Sequence, residues 1–259
     1  MAAATTHPFD LAGRTAIVTG GNQGIGLGIA TALARAGANV AVWGRNTTRN
    51  EEARAAVAAG GASVTAHAVD VTDEAAVAAA FAETVAAHGQ VDVAVANAGV
   101  SAVVPSTAEM TLEEWHRVLA VDLDGVMLTF RATLRHLTDR GAPGSLVAIG
   151  SRLSANGQPR APHYSAAKAG LEGLVRAIAR EYGPAGVRAN VVHPGWIETP
   201  MTAAVLAKPK VAEGQLPRIP VRRWGTPDDL GGIVAYLASD ASSYHTGDVI
   251  RVDGGDGLG

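Results

Sequence analysis

The chain is predicted to fold as an α/β protein: one parallel sheet with helices on both faces. Three observations carry this. Short apolar runs alternate with longer alanine-rich segments of helical period along all 259 residues, and such a rhythm requires parallel pairing with right-handed crossovers. The apolar runs are near-continuous rather than alternating, as strands covered on both faces read. A glycine cluster, Thr19-Gly20-Gly21-Asn22-Gln23-Gly24-Ile25-Gly26, stands between the first strand and the first helix, where such sheets hold phosphate.

Each element follows in order. Residues 14–19 (RTAIVT) read as the first strand and 24–36 as the first helix. Residues 39–43 and 50–59 repeat the pair, then 63–69 and 73–88, with Thr72 as the expected N-cap. Residues 91–96 form the fourth strand. A long helix over 112–139 starts at Thr111, with Glu114 in the capping-box position. Residues 145–150 are the fifth strand, 161–182 a helix, and 187–192 the sixth strand. A late helix over 228–239 and a last strand over 248–252 complete seven strands and six helices. One Rossmann-type doubly wound domain over 1–259 is expected, since a chain of this size buries roughly 70–75% of its unfolded surface without staples. Residues 197–226, rich in proline and charge, are too long for an ordinary connection. They read as a surface excursion or, preferred, as a lid or substrate loop inserted in the domain.

Composition narrows the function. Lys and Arg total 21 against 24 Asp and Glu, for a net charge of −3, and cysteine is absent. No basic face for nucleic acid is expected, nor any disulfide or thiolate metal site. The eight histidines are scattered with no HxxxH pair, so no metal site is expected. The N-terminal MAAATTHPFDLAGR lacks a signal-peptide pattern, and no stretch approaches a membrane span. A cytoplasmic protein is expected.

The glycine turn, with Gly20, Asn22, Gln23, Gly24, Ile25 and Gly26, is the candidate phosphate cradle, because a helix N-terminus presents free N–H groups and a positive dipole end. At the end of the second strand an NAD site usually offers a carboxylate. Here the sequence is AVWGRN. Arg45 suits a 2′-phosphate, which favours NADP over NAD, although a solvated arginine at a helix start reads the same way. Asp70 and the backbone of Val71 lie where an adenine edge would be read; Asp70 as a plain loop residue is nearly as good a reading.

Tyr164 and Lys168 stand four apart and share a helix face. Most such pairs are ordinary surface residues. A phenol next to an ammonium, however, is suited to proton transfer. Ser151 sits at a strand end, Ser154 in the loop after it, and Ser165 next to Tyr164 on another helix face. Arg152, His163 and Trp196 are candidate substrate neighbours, with solvated loops or packing under 197–226 as the alternative.

Taken in order, Thr19-Gly20-x3-Gly24-x-Gly26, Asn97-Ala98-Gly99, Ser151, Tyr164-x3-Lys168, Pro194-Gly195 and Asp253-Gly254-Gly255 resemble the short-chain dehydrogenase/reductase family over essentially the whole chain. The resemblance implies reversible hydride transfer between a nicotinamide and a secondary alcohol or ketone. Tyr164 would be the general acid/base. Lys168 would stabilise its phenolate and bind the nicotinamide ribose. Ser151 would hold the substrate oxygen. Asn97, Ala98 and Gly99 would line the cofactor, and Pro194, Gly195, Ile197 and Thr199 would hold its nicotinamide end. Family tetramers, or dimers, imply a homo-oligomer, for which the small ridge Ser165, Ala169 and Gly173 is a candidate surface. Family members include 3-oxoacyl-carrier-protein reductases and sugar or polyol dehydrogenases. Ala96 stands where many members have a second asparagine. Asp122 stands where the family usually has the asparagine that supports a helix kink and the catalytic lysine's water. Aspartate is nearly isosteric but lacks amide donors, and its charge is expected to raise the affinity of Lys168 for its proton and to alter the pH profile. A non-catalytic nucleotide-binding regulatory protein is the alternative, and Asp122 is its only support.

Overall fold

The computed structural model describes residues 7–101 and 103–258. The first half runs β1 (Thr15–Thr19), α1 (Gly24–Arg35), β2 (Asn39–Gly44), α2 (Thr47–Ala58), β3 (Val64–Ala68), α3 (Glu74–His88) and β4 (Val93–Ala96). Then come α4 (Leu112–Leu119), a π turn (Ala120–Asp124), α5 (Gly125–Arg140), β5 (Gly144–Ile149), α6 (Leu153–Asn156), α7 (Pro162–Tyr182) and β6 (Val187–Pro194). The chain ends through α8 (Ala203–Leu206), α9 (Pro209–Gln215), α10 (Asp228–Ala238) and β7 (Val249–Val252).

All seven strands are parallel, in the order β3-β2-β1-β4-β5-β6-β7. The order reverses between β1 and β4, so a crevice opens there beyond the carboxyl ends of the strands. One face of the sheet packs under α1, α2 and α10 through residues such as Ile29, Leu33, Val42, Val57 and Leu230. The other face packs under α5 and α7 around Phe130, Leu134, Leu171 and Val175, and under α3 around Trp43, Val77 and Phe81. Small residues allow the tight packing. A Cβ on Gly231 would come within 2.5 Å of the Ala32 Cβ, where α10 crosses α1.

The structure departs from the sequence reading in five places. Helix α2 starts earlier, because the Asn46 side chain accepts from the Arg49 N–H. Helix α3 is capped by Asp73, not Thr72; the Asp73 carboxylate accepts from Ala75 and Ala76, while Thr72 donates to Asp70. Thr111 caps α4, but Glu114 turns to Arg117 instead of closing the capping box. The long helix is broken by the π turn, which no proline announces. Residues 197–226 contain the short helices α8 and α9 and are closed at their base by a parallel bridge, Ile197 to Gly225.

Candidate active site

The nucleotide end is built by backbone. Gly20 and Gly24 take left-handed φ values of 62° and 53°, which side chains rarely adopt. A Cβ on Gly26 would lie 2.2 Å from the Gly20 carbonyl oxygen, so only glycine lets α1 start this close to the turn. The first helical bond runs from Leu27 to the Gln23 carbonyl, which leaves the N–H groups of Gly24, Ile25 and Gly26 for a ligand. Asn97 fixes the turn to β4: its side chain donates to the carbonyls of Thr19 and Gly20, at 3.0 and 3.2 Å. Asn22 donates to Asn50, which donates in turn to Gly44 and His67 and ties the end of β2 to β3. This close, rigid cradle fits a dinucleotide pyrophosphate.

Arg45 is exposed at the end of β2, and the Asp70 carboxyl is held below its usual range chiefly by the Thr72 backbone N–H, against burial, with smaller help from the Thr72 hydroxyl and the Arg45 charge. A second cation, missed in the sequence, stands beside it. Arg49 donates to the Gln23 side chain at 3.0 Å and so is folded back onto the glycine turn. Its position one helical turn after Arg45 was the available signal. Val71 is buried and packs on Gly125, and Asp70, Val71 and Arg45 lie outside the main cleft.

The main cleft, about 340 Å³, brings together Gly20, Gln23, Gly24, Asn97, Gly99 and Ser151. Tyr164, Lys168 and Asp122 complete its floor, and Pro194, Gly195, Trp196, Ile197 and Thr199 its opposite wall. Gly26 lies beneath the turn and outside the cleft. The Tyr164 hydroxyl points no hydrogen bond at any other described residue. The Lys168 ammonium lies 5.7 Å from the Tyr164 ring centroid, donates to the Ile149 carbonyl at 3.0 Å and pairs with Asp122 at 3.0 Å. Asp122 is completely buried and also accepts from the Val100 N–H at 2.9 Å. Gly99 makes room for it, since a Cβ there would meet an Asp122 oxygen at 2.8 Å. Burial alone pushes the Lys168 ammonium down, but the Asp122 carboxylate and then Tyr164 more than offset this and raise it.

One sequence expectation needs correction, and one residue left without a role gains one. His163 does not face substrate. It follows from the helix that the neighbour of a cleft-facing Tyr164 points elsewhere, and His163 is fully buried with Nε2 3.4 Å from Glu114, bracing α7 against α4. Ser154 is not idle. Its hydroxyl lies 2.9 Å from His193 Nε2 and 3.0 Å from Glu172, and His193 also lies 3.1 Å from Glu172. This network fixes α6, and with it the Ser151 loop, to β6 and α7. A histidine at the end of β6, directly before Pro194-Gly195, was the missed signal. Arg152 and Trp196 both line the cleft. Trp196 also tilts against Trp224, so it packs under residues 197–226 as well.

Comparison with known proteins shows the family. The family described as enoyl-(acyl carrier protein) reductase matches residues 20–256. Cis-4-hydroxycyclohexanecarboxylate dehydrogenase of Sinomonas cyclohexanicum is 39% identical over 242 residues, covering 93% of this chain and 96% of its own. The chain belongs to the short-chain dehydrogenase/reductase family. The 3-oxoacyl-(acyl-carrier-protein) reductase MabA of Mycobacterium tuberculosis is 40% identical, covering 95% of this chain and 94% of its own. A structure of gluconate 5-dehydrogenase from Burkholderia cenocepacia, in complex with NADP and tartrate, superposes with a TM-score of 0.92 at 32% identity, covering 97% and 98% of the two chains. This short-chain dehydrogenase/reductase is thus an NAD(P)-dependent oxidoreductase acting between a secondary alcohol and a ketone. Among the described residues no helix is long and apolar enough to cross a membrane, and no group of His, Asp and Glu is placed to hold a metal.

Proposed function

We propose that the chain is an NADP-preferring dehydrogenase/reductase of small-molecule ketones and alcohols, with Tyr164 as its general acid/base. The observation that carries this is one cleft lined by Tyr164, Ser151 and Lys168 on one side and the glycine turn on the other. When bound, the nicotinamide supplies or accepts the hydride. The Tyr164 hydroxyl gives its proton to the substrate oxygen or takes it back, and the Ser151 hydroxyl holds that oxygen in position. Lys168 has three donors; one is committed to Ile149 while the ammonium is ion-paired with Asp122, and donors remain for the ribose hydroxyls and the Tyr164 oxygen. Asn97, Ala98 and Gly99 line the cofactor wall, and Pro194, Gly195, Ile197 and Thr199 face the nicotinamide end. Arg45 and Arg49 together favour the 2′-phosphate of NADP, as does the NADP held by the Burkholderia relative.

Residues 197–226 act as the substrate loop, for Met201, Thr202 and Val205 roof the cleft. Ala169 and Gly173 are exposed, with open space around Gly173, which suits a homotetramer or homodimer face on α7. The composition suits the cytoplasm.

The test is oxidation of NADPH and NADH against a panel of ketones, with Tyr164→Phe as control. Turnover with NADPH preferred is expected in the wild type, and a loss of about 10²–10⁴-fold in the variant. Equal rates in the two proteins, with cofactor binding intact, would instead favour a nucleotide-binding regulator.

A further inference from the structure

Two cations line the cleft, Lys168 and Arg152. Lys168 donates to the Ile149 carbonyl and is ion-paired with Asp122 at the floor of the cleft. The Arg152 guanidinium, by contrast, donates no hydrogen bond to another described residue. Its side chain is only 21% exposed. The guanidinium carbon lies over Trp196, 4.7 Å from the ring centroid. Stacking of this kind fixes the plane of the fork and leaves its N–H edge free.

Among the described residues, the only counter-charge at the fork is Asp256. Its Oδ2 lies 3.1 Å from Arg152 Nη1, in a side chain 1% exposed, yet this oxygen accepts no hydrogen bond of normal geometry. An arginine whose sole task was to dock residues 253–257 would be expected to close a fork-to-fork pair with that carboxylate. Here the charge is balanced from the Nη1 side, while Nη2 and Nε donate to no described residue. The cations of residues 197–226 offer no substitute. Arg223 is paired with Asp229 and Arg222 with the Pro217 carbonyl, and Lys208, Lys210 and Arg218 stand outside the cleft.

We infer that Arg152 is a specificity-determining residue: it anchors the carboxylate of a small hydroxy acid or oxo acid, and Asp256 holds the guanidinium in place beside the cleft. The inference rests on the oxidoreductase reading and narrows its substrate class. Arg152 follows directly on Ser151, so acid anchor and oxygen-holding hydroxyl start from neighbouring positions at the end of β5. A substrate carrying both a carbonyl and a carboxylate, a few bonds apart, meets both.

The experiment is calorimetric titration of the NADP-loaded protein with cyclohexanecarboxylate and with cyclohexanecarboxamide, which differ in charge but hardly in shape. The wild type is expected to bind the acid at least ~10-fold more tightly, the scale of one charged hydrogen-bonded pair. Arg152→Gln is expected to abolish that preference, and Arg152→Lys to retain part of it, as a point charge without the fork. Equal binding of acid and amide by the wild type overturns the inference, as does a preference that survives in Arg152→Gln. Should the glutamine variant not fold, an undiminished preference in Arg152→Lys overturns it equally. Failure of the enzymatic reading is a separate result: acid preference would persist while ketone turnover matched the Tyr164→Phe control.

Discussion

The two ends of the cleft are held by different forces. At the nucleotide end the chain is shaped by backbone that approaches too closely for any side chain. At the reactive end, position is set by charge, through the buried pair Lys168–Asp122 and the stacked Arg152. A backbone cradle tolerates almost no change in shape but is indifferent to pH. A charged site tolerates isosteric exchange but responds to every proton.

The largest effect that would test this contrast is expected from Lys168→Met. It leaves the Asp122 carboxylate buried without its partner, and removing one member of a buried pair costs about 3–5 kcal/mol. Chemical denaturation would measure it, and adding Asp122→Asn to the variant should restore much of the loss. If the double variant is no more stable than the single one, the pair does not hold the reactive end together.

A smaller effect is expected at the other end. Gly26→Ala forces a Cβ against the Gly20 carbonyl, and overpacking of this kind costs typically about 1–3 kcal/mol. The cost should be the same at pH 6 and pH 9, because no titrating group is involved. Thermal melts at the two values, with NADPH affinity measured beside them, would reveal any pH dependence and so break the contrast.

The smallest change, Asp122→Asn, keeps the shape and removes the charge. Lys168 is raised above its ordinary value, so its stabilising contribution is complete below that value and is lost as pH rises through the folded one. With the carboxylate gone, burial dominates and the ammonium loses its proton at lower pH. The alkaline limb of the pH–rate profile is therefore expected to move to lower pH, with activity near neutrality retained. Superimposable profiles for wild type and variant would show that the charge of Asp122 does not reach the chemistry.

The same contrast explains what could be read from the sequence. Glycines at 20, 24 and 26 announce themselves, because the demand they meet is local: one turn between one strand and one helix. The strands were legible for the same reason, as β1, β2, β4 and β5 are short, mostly apolar runs. The direct Lys168–Asp122 pair was not. It joins α7 to a π turn that no proline betrays; the family resemblance implied a helix kink there and a charge in place of an amide, but no direct contact with the lysine. Arg49 was overlooked because its role depends on Gln23 reaching across from the glycine turn. The Arg152–Trp196–Asp256 assembly draws on three distant segments that meet only when β5, β6 and the C-terminal turn are neighbours. His163 was misread because adjacency in sequence to Tyr164 was taken for adjacency in space.

The bridge between Ile197 and Gly225 has a wider consequence. The Gly225 N–H donates to the Trp196 carbonyl, and the Glu198 N–H to the Gly225 carbonyl, each at 2.8 Å. The two ends of the segment are thus stapled at one point, and what lies between can lengthen or shorten without moving β6 or α10. Closing a loop twice as long costs only about 0.6 kcal/mol more. The clasp makes this stretch an exchangeable cassette. Lineages, or engineers, can rewrite the roof over the cleft while leaving the hydride-transfer floor as it is.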